Sequence, residues 1–295
     1  MILEFLQPDP NPWDALAVVV RAGYNFAGLS AAGLALFLAG FGAQLDAPAR
    51  AGMRRLLMRI AVFGLVLSVL ALFVRAAQLS GGEDLFDATI WTALLRGRVG
   101  DAFLLRASGF LLVLVSARGG AAAAGMGALL IVMSYAAMGH STLYRPRQEL
   151  AALVALHLLA VSFWVGSLPA LIAAARAANA DIIRAWSRAA MLAVAAMFAT
   201  GAALIFYLVG RADLLIASWY GWALVAKLVL VAGLMGFAVR HKLASTPALE
   251  RGDAGAGDAL ARSIALELAL AALVCYAAAE LVSVHPLDYG HRIAS

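Results

Sequence analysis

The chain has 295 residues, of which 64% are hydrophobic and 13% are charged. Soluble domains carry about 25% charged residues, so this composition excludes an ordinary soluble domain and indicates a chain that lies in lipid. The net charge of +5 does not indicate a nucleic-acid partner, because the basic residues flank apolar segments, where they set orientation in a membrane.

Apolar segments of the length that crosses a bilayer, about 17–25 residues, recur along the whole chain. No stretch shows the alternation of a membrane β-barrel, so we predict an all-α, polytopic membrane protein with a bundle of about eight transmembrane helices. The whole chain, residues 1–295, is predicted to be a single transmembrane domain. The eight predicted spans are 13–41, 56–79, 101–117, 121–139, 149–175, 185–209, 219–240 and 259–284.

Three connections between the spans have recognisable features. Arg118-Gly119-Gly120 predicts a tight turn between the third and fourth spans. Residues 87–95 are predicted to form a short interfacial helix, with Trp91 at the headgroup level. Residues 241–258, which are rich in Gly, Ala and charge, predict a flexible link.

The basic residues between the spans predict the orientation, because cytoplasmic loops carry an excess of Lys and Arg. Seven lie on the side of the N-terminus and twelve on the opposite side. We therefore expect both termini to face the periplasm. The twelve are Arg50, Arg54, Arg55, Arg59, Arg118, Arg176, Arg184, Arg188, Arg240, Lys242, Arg251 and Arg262, and the seven are Arg96, Arg98, Arg106, Arg145, Arg147, Arg211 and Arg292.

His157 is the ionisable residue that most needs an explanation. It lies inside the fifth span, roughly 12 Å below the predicted start at 1.5 Å per residue. Its side chain is too short to reach the headgroups, so it needs a partner helix, a water-filled cavity or a metal. Trp164 follows seven residues later on the same helix face, where it either packs or forms the floor of a cavity.

Other ionisable residues cluster in the same half of the predicted bundle. Arg21 and Lys227 lie about two turns inside their spans, and Glu280 lies at the outer end of the last span. We predict that these three residues and Trp164 surround the site. Glu267 is the exception, because it lies near the cytoplasmic end. Snorkelling of long side chains to the headgroups accounts for three further residues, Arg75, Arg106 and Arg211.

The candidate metal ligands are three histidines of the outer half, His140, His157 and His285. Imidazole binds copper and zinc, and a pair of histidines at one depth holds a b-type haem. His140 and His157 differ in depth by about 12 Å, which does not suit one haem. The single cysteine, Cys275, is expected to be a small apolar residue rather than a ligand.

Five short motifs occur in order over the last four spans. They are Gly139-His140, LHLLAVSFWVGSLPAL at 156–171, Trp186-Ser187-Arg188-Ala189, Tyr220-Gly221 followed by Lys227, and Arg262-Ser263-Ile264 with Glu267. With these motifs the chain resembles the copper resistance protein D (CopD) family of bacterial inner-membrane proteins over residues 139–285. Residues 13–117 match only in hydropathy and in the placement of Arg21 and Arg106.

The resemblance implies an eight-helix protein of the inner membrane that binds copper ions and takes up copper from the periplasm for resistance or homeostasis. It also implies a small periplasmic copper carrier as partner, and makes His140 and His157 copper ligands at an outward-facing opening. We predict a transport protein rather than an enzyme. The alternative is a membrane redox protein that binds haem b through the same histidines. No Walker loop is present, so transport must follow a gradient or couple to another ion.

Overall fold

The computed structural model describes residues 12–138, 147–209 and 219–283, and within these ranges every regular element is helical. The predicted all-α class is therefore confirmed. The predicted His140 and His285 lie outside the described residues, as does the side chain of Glu280. The α-helices are α1 (Pro12–Phe41), α2 (Ala47–Ser80), α3 (Ala88–Arg96), α4 (Arg98–Ser116), α5 (Ala121–Ala136), α6 (Arg147–Arg176), α7 (Ala180–Val209), α8 (Trp219–Arg240), α9 (Thr246–Glu250) and α10 (Ala256–Ser283).

Seven of the described helices are long and apolar enough to cross a membrane: α1, α2, α4, α6, α7, α8 and α10. Each coincides with a predicted span. The remaining predicted span, 121–139, forms α5, a shorter apolar helix of 16 residues. Its length is about 24 Å at 1.5 Å per residue, less than the roughly 30 Å of a hydrocarbon core. The protein is thus a multi-pass membrane protein with a shortened fifth helix.

Helix ends are defined by local chemistry. Asp46 caps α2, because its Oδ1 accepts a hydrogen bond from Ala49 N at 2.7 Å. Asp87 caps α3 in the same way through Thr89 N, and this confirms the predicted short helix. The predicted tight turn before α5 is also present: Gly119 and Gly120 both have positive φ angles, +119° and +128°, which glycine adopts at low cost.

Side-chain contacts show which helix ends share a side of the bundle. At one end Asn179 Nδ2 donates to Gln44 O, and Arg184 pairs with Glu250 at 2.7 Å. At the opposite end Gln78 Nε2, near the end of α2, donates to Asp14 Oδ1 at the start of α1. We name the first the inner end and the second the outer end, following the sides that the charge distribution predicts for the cytoplasm and the periplasm.

The segment 241–258 differs from the prediction of a flexible link. A π-helical turn, His241–Ser245, continues α8, and α9 follows it directly. Pro247 stands in the first turn of α9, where its missing N–H costs nothing. Glu250 at the end of α9 accepts hydrogen bonds from Arg184 on α7. The link is therefore mostly helical and is held against α7.

The centre of the bundle is α1, which packs against α2, α5, α6 and α10. It comes closest to α6 at Gly33 and Gly166, where a Cβ on Gly166 would lie 2.5 Å from the Gly33 Cα. Such close approach of small residues is the usual way in which membrane helices gain packing energy. By contrast, α7 and α8 expose large apolar side chains such as Leu192 and Val229, which suit contact with lipid.

Candidate functional site

His157 is the predicted metal ligand whose surroundings can be described. Its Nδ1 lies 3.0 Å from the Met197 carbonyl oxygen and 3.2 Å from Thr200 Oγ1, both on α7. Thr200 Oγ1 donates to the Ala196 carbonyl at 2.6 Å. Nδ1–H therefore donates to this pair of oxygens, and the lone pair of the neutral ring lies on Nε2. A backbone bond of this kind fixes the tautomer of a metal-binding histidine.

Lys227 on α8 relates His157 to a third helix of the outer half. The charge of Lys227 on α8 interacts with both His157 and the buried Cys275 on α10. His157, Thr200, Lys227 and Cys275 all lie about 12–15 Å from the outer ends of their helices, at 1.5 Å per residue. These four residues form what we call the outer cluster. The role of Lys227 beside His157 stays a prediction.

The lack of a side chain at Gly201 on α7 leaves room for the His157 ring. A Cβ at Gly201 would lie 3.4 Å from His157 Cε1 and 3.7 Å from Nδ1, so the ring lies directly against the helix backbone. The neighbouring Thr200 is 4% exposed. Sequence reasoning missed both residues, although a Thr-Gly pair inside an apolar span is a recognisable place for close helix packing.

Arg106 differs from its predicted place, whereas Arg21 lies at the predicted depth of about two turns inside α1. Arg21 is half-buried on α1, and no hydrogen bond or ion pair joins it to another described residue. Arg106 was predicted to snorkel, and this is wrong: it is only 5% exposed. Its guanidinium lies 4.1 Å from the ring centre of Tyr24 and 5.8 Å from that of Tyr135. Two aromatic rings from α1 and α5 therefore hold the charge by cation–π contact.

A second group of polar side chains lies nearer the inner end. Trp164 Nε1 donates to Glu267 Oε1 at 2.6 Å, and Glu267 Oε2 lies 3.3 Å from His241 Nδ1. His241 Nε2 is 2.8 Å from Ser263 Oγ. We call Trp164, Glu267, His241 and Ser263 the inner cluster. Trp164 thus packs in the core, and its indole N–H also binds a buried carboxylate.

The inner cluster joins three helices around one carboxylate. Glu267 on α10 is only 2% exposed, while Trp164 comes from α6 and His241 follows α8. The sequence contained a signal for this contact, since a carboxylate inside a membrane helix must find a partner. Which residue supplies the partner depends on helix rotation and packing, and sequence periodicity does not specify these.

The side-chain contacts run from Ser263 to His241 to Glu267, as in the triad of a hydrolase. The surroundings of Ser263 do not support hydrolysis. Ser263 lies within the continuous helix α10 (Ala256–Ser283), seven residues after its first. Backbone N–H groups beyond the first four of a helix are bonded within it. They are therefore not available as the oxyanion-binding donors that acyl transfer requires.

No three His, Cys, Asp or Glu side chains come together as a metal site within the described residues. Of the three predicted histidine ligands, the described residues include only His157. His157 Nε2 is thus the nitrogen of this predicted ligand that carries a free lone pair, and Lys227 interacts electrostatically with its ring.

Two family models match the chain in succession. The first, Copper resistance protein D-like, N-terminal domain, matches residues 12–145. The second, Copper resistance protein D, matches residues 180–281. The chain belongs to the copper resistance protein D family. The resemblance recognised in the last four spans is thereby confirmed, and it extends into the first half, where only hydropathy had indicated it.

A curated relative in the family gives the same name. Copper resistance protein D from Pseudomonas syringae pv. tomato is 28% identical over 301 residues, covering 88% of this chain and 94% of that protein. No solved structure matches the chain. Family membership and the apolar helices make this chain a multi-pass inner-membrane protein of copper resistance. Neither the family nor the relative supports the haem alternative.

The two family models leave a gap that contains α6. Residues 146–179 lie between the matched ranges, and α6 spans Arg147–Arg176. His157 and Trp164 are therefore assigned from structure and chemistry rather than from the family models. By contrast, Glu267, His241 and Ser263 all lie within the range matched by the Copper resistance protein D model.

Proposed function

We propose that this protein transports copper across the inner membrane from the periplasm, and that His157 binds the ion in the outer half of the bundle. The observation that carries the proposal is the fixed imidazole of His157, whose Nδ1 is held by Met197 O at 3.0 Å. Its Nε2 is left with a lone pair at membrane depth, in a protein of a copper resistance family. Imidazole is a common copper ligand.

Cys275 is proposed as the second donor of the same site. The sequence favoured a small apolar role for it, but it shares the neighbouring charge of Lys227 with His157. Thiolate is a soft ligand that selects Cu(I). Cys275 is buried, which favours the neutral thiol in the empty site, so copper binding would release the thiol proton. Lys227, where charged, would weaken the hold of the site on a bound cation. A transport site needs such moderate binding, so that the ion can leave again.

Supply by a carrier protein fits the charges of the outer half. Lys227 and the buried Arg106 would repel a bare cation that approached from the outer end. We therefore propose that a small periplasmic copper carrier hands the ion over by ligand exchange. Proteoliposomes should take up Cu(I) faster from such a carrier than from a small-molecule chelate of equal affinity. Equal rates from both sources would contradict the carrier.

The test of transport compares His157→Ala with a matched buried control. Ser68→Ala is suitable, because Ser68 is fully buried on α2 and its hydroxyl bonds only to Gly64 O of the same helix. We expect His157→Ala to lower bound copper in the purified protein, and copper uptake by cells, by about tenfold or more. Ser68→Ala should leave both unchanged.

The same purified protein tests the haem alternative. A visible spectrum with a Soret band that shifts on reduction with dithionite would contradict the plain copper transporter.

Equal copper content and uptake in wild type and His157→Ala would show that His157 is not the ligand. Cys275→Ser should weaken copper binding less than His157→Ala, because a hydroxyl can replace the thiolate only as a poorer ligand.

A further inference from the structure

Glu267 and His241 face each other in the inner half of the bundle, at a distance that one shared proton can bridge. Glu267 Oε2 and His241 Nδ1 are 3.3 Å apart, slightly longer than an ordinary N–H···O hydrogen bond of about 2.7–3.2 Å. We propose that this pair is a proton-binding site open to the inner side, and that its charge controls the inward movement of copper. The inference rests on the proposed transport function.

Both members of the pair are held in place from their far sides. Trp164 Nε1–H fixes the other carboxyl oxygen at 2.6 Å, and Ser263 Oγ fixes the other ring nitrogen at 2.8 Å. Whichever nitrogen of His241 carries the ring proton, the neutral pair has one proton between Oε2 and Nδ1. It lies either on the ring or on the carboxyl group. The arrangement is therefore preorganised to gain and lose a single proton.

Surrounding charges do not neutralise the carboxylate. Among the described residues, the only cationic group within ion-pair distance of Glu267 is His241. The inner half of α1, residues 25–41, has no ionisable side chain, and on α6 the ionisable residues on either side of Trp164 are His157 and Arg176. Arg262 and Asp258 on α10, Lys242 after α8, and Glu250 on α9 are exposed at the inner end. Glu250 is paired with Arg184 on α7.

The charge of the pair then follows from its proton. With two protons on the carboxyl and imidazole groups together the pair is neutral, and after loss of one proton it carries one negative charge inside the low-dielectric bundle. Such a charge is expensive in lipid unless a cation is near. A copper ion leaving the outer cluster would supply that cation. Loss of the proton to the inner side would therefore favour inward movement of copper, and its return would reset the pair.

His241 is the more accessible member of the pair. Its side chain is 15% exposed and that of Glu267 is 2% exposed, and His241 directly follows the inner end of α8, so protons would reach the pair through His241. The π-helical turn that starts at His241 widens the helix at this point, and such turns are frequent at functional sites. The other carboxyl oxygen of Glu267 is occupied by the indole N–H of Trp164. The pair should accordingly respond to the pH of the inner side.

The experiment measures copper uptake by proteoliposomes whose internal pH is varied at constant external pH. In wild type, raising the internal pH from about 6 to about 8, where histidine changes its charge, should increase the uptake rate several-fold. Glu267→Gln cannot deprotonate and should transport slowly at every internal pH. Glu250→Gln is the matched control, an acidic residue of the inner end, and should keep the wild-type pH dependence.

The outcomes separate this inference from the transport proposal. Copper binding that depends on His157 in the purified Glu267→Gln protein would show that the outer cluster is intact and the variant folded. Uptake by Glu267→Gln with the wild-type pH dependence would overturn the inference and leave the transport proposal standing. His241→Gln is a second variant that should also lose the pH response, and a retained response there would contradict the role of the pair.

A spectroscopic measurement addresses the proton directly, without transport. The infrared difference spectrum between low and high pH should contain a band of the Glu267 carboxyl group, either its C=O band or a shifted carboxylate band, that is missing in Glu267→Gln. A spectrum in which wild type and Glu267→Gln have the same carboxyl bands would overturn the inference. If wild-type protein neither binds nor transports copper, the transport proposal fails and the coupling to copper fails with it.

Discussion

The hydrogen bond between Trp164 and Glu267 offers a sharp test of how α6 is held to α10, because a second buried tryptophan provides the control. Trp164 and Trp186 are 7% and 9% exposed, and their rings meet edge to face at 6.1 Å. Trp164 Nε1 donates to Glu267 Oε1. By contrast, Trp186 Nε1 is buried and has no hydrogen-bond partner among the described residues. Phenylalanine at either position removes similar volume but breaks a hydrogen bond only at Trp164.

The size of the effect follows from the environment of the bond. A hydrogen bond to a charged group contributes about 1.5–3 kcal/mol in soluble proteins, and bonds between membrane helices contribute about 0.6 kcal/mol on average and up to about 1.7. The short, buried bond to Glu267 should fall near the upper membrane figure. We therefore expect Trp164→Phe to lower the free energy of unfolding by about 1–2 kcal/mol more than Trp186→Phe does.

The assay is reversible unfolding in mixed micelles, followed by far-ultraviolet circular dichroism so that tryptophan replacement does not disturb the signal. A double-mutant cycle with Glu267→Leu completes it. In the Glu267→Leu background Trp164→Phe should cost no more than Trp186→Phe, since the bond is already lost. Equal destabilisation by Trp164→Phe and Trp186→Phe in the wild-type background would refute the reasoning.

Two further predictions concern packing of the first half. Gly166→Ala places a methyl group 2.5 Å from the Gly33 Cα and should destabilise by about 2 kcal/mol or more through overpacking, whereas Gly125→Ala, which meets nothing within 4 Å, should be neutral or slightly stabilising. Equal unfolding midpoints for the two variants would contradict the close α1–α6 contact. Arg106→Lys keeps the charge but replaces a flat guanidinium that lies 4.1 Å from the Tyr24 ring, and should cost about 1 kcal/mol in the same assay. Unchanged stability of Arg106→Lys would indicate that the charge alone matters there.

The fold could be predicted largely from apolar segment lengths, because lipid requires every spanning backbone to be helical. The exception was the segment before α10. Its Gly, Ala and charged residues indicated a flexible link, yet Pro247 in the first turn of α9 was a usable helix-start signal. The ion pair of Glu250 with Arg184, which joins residues far apart in sequence, was not accessible to local reasoning.

The candidate site could be predicted only in part, for a similar reason. Depth along each helix is readable from residue numbers, so Lys227 and His157 could be assigned a similar depth. Rotation about each helix axis is not readable in this way. Snorkelling was therefore the default for Arg106, whose aromatic partners come from two other helices. The link from Trp164 to Glu267 was missed because each residue has a plausible packing role when it is considered alone.

The glycine contact between α1 and α6 also has a consequence for how the protein is made. Gly33 and Gly166 are separated by 133 residues, so at about 5–20 residues per second the ribosome needs roughly 7–27 s to supply the partner of α1. During that interval α1 can pair with α2, which follows it directly and packs against it. The glycine surface of α1 meanwhile remains covered by lipid or by the insertion machinery. The α1–α2 hairpin would then be the template on which α6 docks when it arrives, and the second half of the protein would assemble around it.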